Sequence, residues 1–96
     1  MKKLEDIEEI LRKHKSDLQK RFKVKDIGVF GSYATGKQKK SSDVDILVEF
    51  YEPIGWEFVD LKEHLEQVIG LKVDLVTPNA LKQQMKEHIL KEVVLL

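Results

Sequence analysis

Two aspartates one residue apart, Asp43 and Asp45, open the apolar run DVDILVEF. No other feature constrains the fold of this chain as much. The run is rich in β-branched residues, and its apolar stretch predicts a strand buried on both faces. Carboxylates held close repel each other and resist burial unless something positive sits between them. Residues i and i+2 of a strand share a face, so both acids point the same way.

The flanking segments say where that strand sits. VKDIGVF, upstream, reads as a strand ending at Gly31. SYAT, before Gly36, has room for one short helical turn. A helix is predicted near residues 2–22, with Leu4, Ile7, Leu11, Leu18 and Phe22 on one stripe. Its acids (Glu5, Asp6, Glu8, Glu9) lead and its bases (Lys20, Arg21) trail, as the helix dipole favours. Pro53 and Gly55 mark a loop. A second helix is expected near 55–69, carrying Phe58, Leu61, Leu65, Val68 and Ile69, with a stop at Gly70. LKVDLV predicts a third strand near 71–76. Thr77-Pro78 then suits a helix start, and Leu81, Met85 and Ile89 stand four apart in a helix near 78–91. For the apolar tail Val93–Leu96 two readings weigh equally: an exposed interface, or a segment folded back onto the sheet.

The expected fold is one α/β (α+β) domain over residues 1–96, a small mixed sheet with strands near 24–30, 43–50 and 71–76. The crossover helix makes strands two and three parallel. The link between strands one and two is too short for a crossover, so these run antiparallel. Strand two therefore starts beside the end of strand one, where Gly31-Ser32 lie. Strand three starts at the same edge and brings Asp74. Three carboxylates can then converge beside a glycine turn.

Oxygen donors in this number suit Mg²⁺. A pair of such ions stabilises both the attacking and the leaving oxygen of a phosphoryl-type transfer. Gly31 permits close backbone approach, Ser32 offers a hydroxyl, and a helical turn there would aim N–H groups at an anion. Together these make a nucleoside triphosphate site. The rest of the composition narrows the field. Lys+Arg and Asp+Glu number 17 each, which argues against direct nucleic-acid binding. Absence of cysteine excludes disulfides and thiolate chemistry. No apolar run approaches the ~20 residues of a membrane span, and the N-terminus lacks a signal-peptide core, so the cytoplasm is the expected location.

Gly-Ser, ten residues, Asp-Val-Asp, then a strand with Asp74, resembles the nucleotidyltransferase fold of the DNA polymerase beta superfamily. The small size resembles its minimal nucleotidyltransferases, the MNT group. The likeness runs from the first helix to ILKEVV. It implies that Asp43 and Asp45 bind two Mg²⁺ ions and that Asp74 binds the catalytic ion and helps deprotonate an attacking hydroxyl. Gly31 and Ser32 would hold the triphosphate of ATP, and AMP would be transferred as pyrophosphate leaves. It also implies a partner, a HEPN-type RNase toxin AMPylated on tyrosine by its antitoxin. One position departs: members often carry arginine in the turn after Gly-Ser, and this chain has Thr35. Lys37 is the candidate substitute, although a lysine point charge does not copy an arginine fork.

Larger relatives carry an added domain that grips the acceptor. These 96 residues are taken up by the catalytic core. The acceptor is then expected to be held by another protein or by a second copy of the chain, as a homodimer. Two other functions compete: an antitoxin acting by contact alone, and a small-molecule nucleotidyltransferase of the antibiotic-modifying kind. Lys37, Lys39 and Lys40 read first as a solvated loop, with phosphate steering as the alternative. Tyr33 and Trp56 are candidates for base stacking, with core or loop packing the stronger reading for Trp56. His14, His64 and His88 lack metal-ligand spacing, and His14 and His88 are expected half-buried beside apolar stripes.

Overall fold

A computed structural model describes residues 2–96. Strand β1 (Val24–Phe30) follows helix α1 (Leu4–Phe22) and leads into α2 (Gly31–Thr35), one short turn. Then come β2 (Val44–Phe50), α3 (Glu57–Ile69), β3 (Val73–Val76), a 3₁₀ turn at Pro78–Ala80, α4 (Gln83–Glu92) and β4 (Val94–Leu95). The sheet order is β3-β2-β1-β4. As expected, β1 and β2 are antiparallel and β2 and β3 parallel. No described helix is long and apolar enough to cross a membrane.

Alternation along the strands divides the core in two. Ile27 and Val29 of β1, Val44, Ile46 and Val48 of β2, and Val73 and Leu75 of β3 face α1 and α3. There they meet Ile7, Leu11 and Leu18 of α1 and Leu61, Leu65 and Ile69 of α3, all buried. The opposite face carries Phe30 and Leu47, covered by Ile89 of α4 with Val76, Leu81 and Val93 packed alongside. β2 is therefore buried on both faces, as its sequence predicts. Asp45 of β2, on the same face as Leu47, is not part of the smaller cluster, and neither is Asp43 just before the strand.

Several boundaries differ from the sequence reading. Helix α1 begins at Leu4, where the Lys3 N–H donates to Asp6 Oδ2 at 2.8 Å and closes the first turn. Strand two starts at Val44, which leaves Asp43 just ahead of it. Strand three starts at Val73, and the second long helix at Glu57. The predicted helix near 78–91 is broken. After Pro78–Ala80, Leu81 and Lys82 are extended, and α4 restarts at Gln83. The break turns Leu81 onto the Phe30–Leu47–Ile89 cluster, while Met85 is left exposed. An unbroken helix would have placed Leu81, Met85 and Ile89 on one stripe.

The tail resolves between its two readings. It folds back as β4, antiparallel to β1, with Val94 opposite Val29 and Leu95 opposite Gly28. The Leu96 N–H also donates to the Ile27 carbonyl at 3.0 Å. Val93 and Leu96 pack against the core, and only Leu95 is largely exposed. Gly28 makes this crossing possible. A Cβ there would meet Val93 Cγ2 at 2.8 Å and the Val94 carbonyl oxygen at 2.9 Å. Gly28→Ala should therefore displace β4 and lower stability by about 1–3 kcal/mol, the range for overpacking. Urea denaturation measures this, and an unchanged midpoint would mean that β4 adds nothing to the fold.

Candidate nucleotide and metal site

The parallel register pairs Val44 with Val73 and Asp45 with Asp74. Buried valines hold the first pair on the helix side of the sheet. The second pair then falls on the opposite face, beyond the cover of α4. Asp45 and Asp74 thus stand side by side, close enough for the Asp74 charge to act on Asp45. Asp43, exposed and just before β2, lies near enough for its charge to act on Asp45. The carboxylates predicted from sequence thus converge at one sheet edge. Among the described residues, however, no three His, Asp or Glu side chains stand in a metal-ligating arrangement.

Burial is the main cause that raises the Asp45 pKa, to about 6. The Asp74 and Asp43 charges, the capacity of the neutral Asp45 carboxyl to donate to Asp74, and the Glu92 charge follow in that order. These side chains hold more negative charge than their surroundings stabilise. An all-oxygen, anionic donor set of this kind fits a hard divalent cation. Asp43, Asp45 and Asp74 are the side chains at this edge that could supply such oxygens.

Gly31 stands against Asp45. Its φ of +72° lies in the left-handed region, and a Cβ there would run into the Asp45 carboxylate. Glycine is needed on both counts. Ser32 follows, half-buried, and its carbonyl accepts the N–H groups of Gly36 and of Lys37, the latter at 2.9 Å. The Thr35 hydroxyl turns inward and donates to the Gly31 carbonyl at 3.2 Å. It closes the turn, and does not reach outward as an arginine there would. The Gly31 N–H, just ahead of the Ser32–Thr35 amides expected to face an anion, donates to Glu92 Oε1 at 2.9 Å.

Glu92, the last residue of α4, meets this edge and was not singled out by sequence reading. Its one signal is that an acid stands alone at the junction of the helix and the apolar tail. Lys37 is exposed, and among the described residues its ammonium makes no ion pair with the acids. Tyr33 is 2 % exposed and belongs to the core, so it is unavailable for base stacking. Trp56, expected to pack, is 86 % exposed at the start of α3. His88 is also exposed, with Nε2 3.5 Å from Glu92 Oε2. His14 is half-buried as expected and meets His64 edge-on at 6.1 Å. A cleft of about 590 Å³ opens at the other end of β2, between Val48–Ile54, Thr77–Asn79, Lys86 and Leu90. It contains none of the predicted site residues.

Comparison with known proteins gives the family and the fold. The family described as "Nucleotidyltransferase domain" matches residues 11–96. The protein adenylyltransferase MntA of Thermococcus cleftensis is 52% identical over 92 residues, spanning 95% of this chain and 93% of its own. A solved structure described as a minimal nucleotidyltransferase superposes with a TM-score of 0.76 at 32% identity, covering 93% of this chain and 94% of that one. The fold, at 19% identity and a TM-score of 0.63, is shared with a complex of a tri-AMPylated Shewanella oneidensis HEPN toxin and its MNT antitoxin. That match covers 94% of this chain and 67% of the other.

The crowding of acids should be visible in stability. An unperturbed aspartate titrates near 3.8, and Asp45 in the folded chain near 6. The folded state therefore holds this proton more tightly than the unfolded state. Its stabilising effect is complete below pH 3.8 and is lost as pH rises through about 6. In EDTA at pH 7, Asp45→Asn should be more stable than wild type by about 1 kcal/mol, allowing for solvent screening of a half-buried group. The gain should shrink toward pH 4. Urea denaturation at four pH values tests this, and a destabilised Asp45→Asn at pH 7 would contradict it.

Proposed function

The chain belongs to the nucleotidyltransferase domain family, and from that premise we propose that it moves AMP from ATP to a tyrosine hydroxyl of a HEPN-type toxin, as that toxin's antitoxin. The observation that carries the reading is the Asp45–Asp74 register beside Gly31, which sets an acidic oxygen cluster against a turn built for close approach. The relative named as a protein adenylyltransferase supports the reaction class. The HEPN–MNT complex, a neighbour in fold, supports the kind of acceptor.

Each residue has a task in this scheme. Asp43, Asp45 and Asp74 would hold Mg²⁺, which when bound neutralises charge on the α-phosphate and on the leaving pyrophosphate. Ser32 and the amides that follow it in α2 hold the triphosphate tail. A phenol has a pKa of about 10 and is a weak nucleophile near neutrality. Asp74 accepts its proton as the oxygen–phosphorus bond forms and the bond to the pyrophosphate oxygen breaks. Asp45, whose carboxyl is held above the usual carboxylate range, releases any proton it carries to solvent as a cation enters, and both its oxygens then serve as donors. The protein's main contribution is to align the hydroxyl with the α-phosphate.

Two measurements test the proposal. The first is ATP titration with and without Mg²⁺. Binding should need the metal, and the double variant Asp43→Asn, Asp45→Asn should lose that dependence, since neutral amides do not offset a dication. Equal binding by the double variant would remove the metal from the site. The second is intact mass of a HEPN-type partner incubated with Mg-ATP. Wild type should add one or more AMP units to tyrosine, and Asp74→Asn should lose most of the rate while keeping much of the ATP affinity. A partner whose mass never changes while its RNase activity is silenced would leave an antitoxin that works by contact alone.

A further inference from the structure

We propose that Glu92 is a positioning residue of the nucleotide site: by accepting the Gly31 N–H, it fixes the Gly-Ser turn against Asp45 and so sets which amides meet the phosphates. The inference rests on the nucleotide-site reading above.

Gly31 poses a mechanical problem. It must be glycine, because of its φ of +72° and its contact with Asp45. Glycine, however, samples positive and negative φ with similar ease, so the residue that permits the turn cannot hold it. A charged acceptor at 2.9 Å supplies the missing restraint, since bonds to a carboxylate are stronger and shorter than neutral ones. Gly31 is thereby clamped between two carboxylates, Glu92 on its amide and Asp45 at its α-carbon.

Glu92 is itself anchored. It ends α4, whose Ile89 is buried on Phe30 and Leu47. The Val93 N–H donates back to the Ile89 carbonyl at 2.9 Å, and β4 then pairs with β1. The carboxylate is thus carried by an element fixed to the same strand that leads into Gly31. With the Gly31 amide taken, phosphate binding falls to the donors from Ser32 onward. Glu92 also adds to the negative charge around Asp45, so its presence near an ATP site is unfavourable on charge alone. A positional role accounts for an acid there.

The test compares wild type, Glu92→Ala, Glu92→Gln and Glu92→Asp. Titration with Mg-AMP-PNP gives affinity, and glycine-selective isotope labelling reports the Gly31 amide among only five glycines. In wild type the Gly31 proton should be shifted downfield and slow to exchange. Glu92→Ala should lose both signatures and weaken nucleotide binding about tenfold, as small misplacements of binding groups do. Glu92→Gln keeps an acceptor of the same reach and should retain the Gly31 signature and bind within about threefold of wild type. Glu92→Asp keeps the charge but draws it back, and should resemble alanine, which keeps the test decisive if the alanine variant does not fold. Three results overturn the proposal: unaltered affinity in the alanine and aspartate variants, tighter binding in either, or glutamine as damaging as alanine. Tighter binding would mean that Glu92 competes with phosphate for the amide. Wild type without metal-dependent AMP-PNP binding would instead overturn the nucleotide-site reading itself, and this inference with it.

Discussion

The parallel pairing of Asp45 with Asp74 is the constraint around which the molecule is arranged. Two like charges in register oppose the very strand pairing that brings them together. The pairing persists because the neighbouring positions secure it. Val44 and Ile46, on either side of Asp45, are fully buried against α1 and α3, and Val73 and Leu75 flank Asp74 in the same way. A one-residue slip would put the acids into that core and the valines and isoleucine onto the open face. Each fully buried aliphatic side chain contributes about 1.5–3 kcal/mol, so the register is far stronger than the repulsion it imposes.

The second face is organised around the same edge. A helix covering the whole of it would bury Asp45 and Asp74 without a partner. Here α4 covers only Phe30, Leu47 and Val76, and reaches the acidic edge with one polar residue, Glu92. Its restart at Gln83 and its end at Glu92 set this reach. The short β4 that follows holds the end of the helix in place. Apolar cover and open chemistry thus divide a single strand, β2, between Leu47 and Asp45.

What could be read from the sequence is what depends on local period or local spacing. The stripe Leu4, Ile7, Leu11, Leu18, Phe22 and the alternation through β2 identify elements because burial repeats with the geometry of the element. Gly31-Ser32 and Asp43, Asp45 and Asp74 were placed together by topology alone, since a short link fixes β1 against β2 and a crossover fixes β2 against β3. The features that escaped depend on contacts remote in sequence. Leu81 leaves helical geometry for a cluster built from Phe30 and Leu47. The tail, for which folding back and exposure weighed equally, becomes a strand because Gly28, far upstream, leaves room for it. Glu92 enters the site through a bond to a residue 61 positions away. Trp56 and His88 carry apolar or amphipathic character yet stand in solvent, which no local pattern foretells.

Thr35 shows how a departure from a family pattern is absorbed. An arginine in this turn would project charge toward a phosphate, and its loss removes a bidentate contact. Threonine puts its hydroxyl on the Gly31 and Ser32 carbonyls and tightens the turn from within. The turn is then held at its first amide by Glu92, at its carbonyls by Thr35, and on its open side by the bulk of Asp45. Stiffness of this kind favours binding in a way that direct attraction does not, because less freedom is lost when the ligand arrives. The charge that an arginine would have brought must come from elsewhere. Under the proposed function, a cation held by Asp43, Asp45 and Asp74 would bring that charge. What the structure itself supplies at this turn is restraint: each of its three holding contacts comes from a different element, α4, α2 and β2.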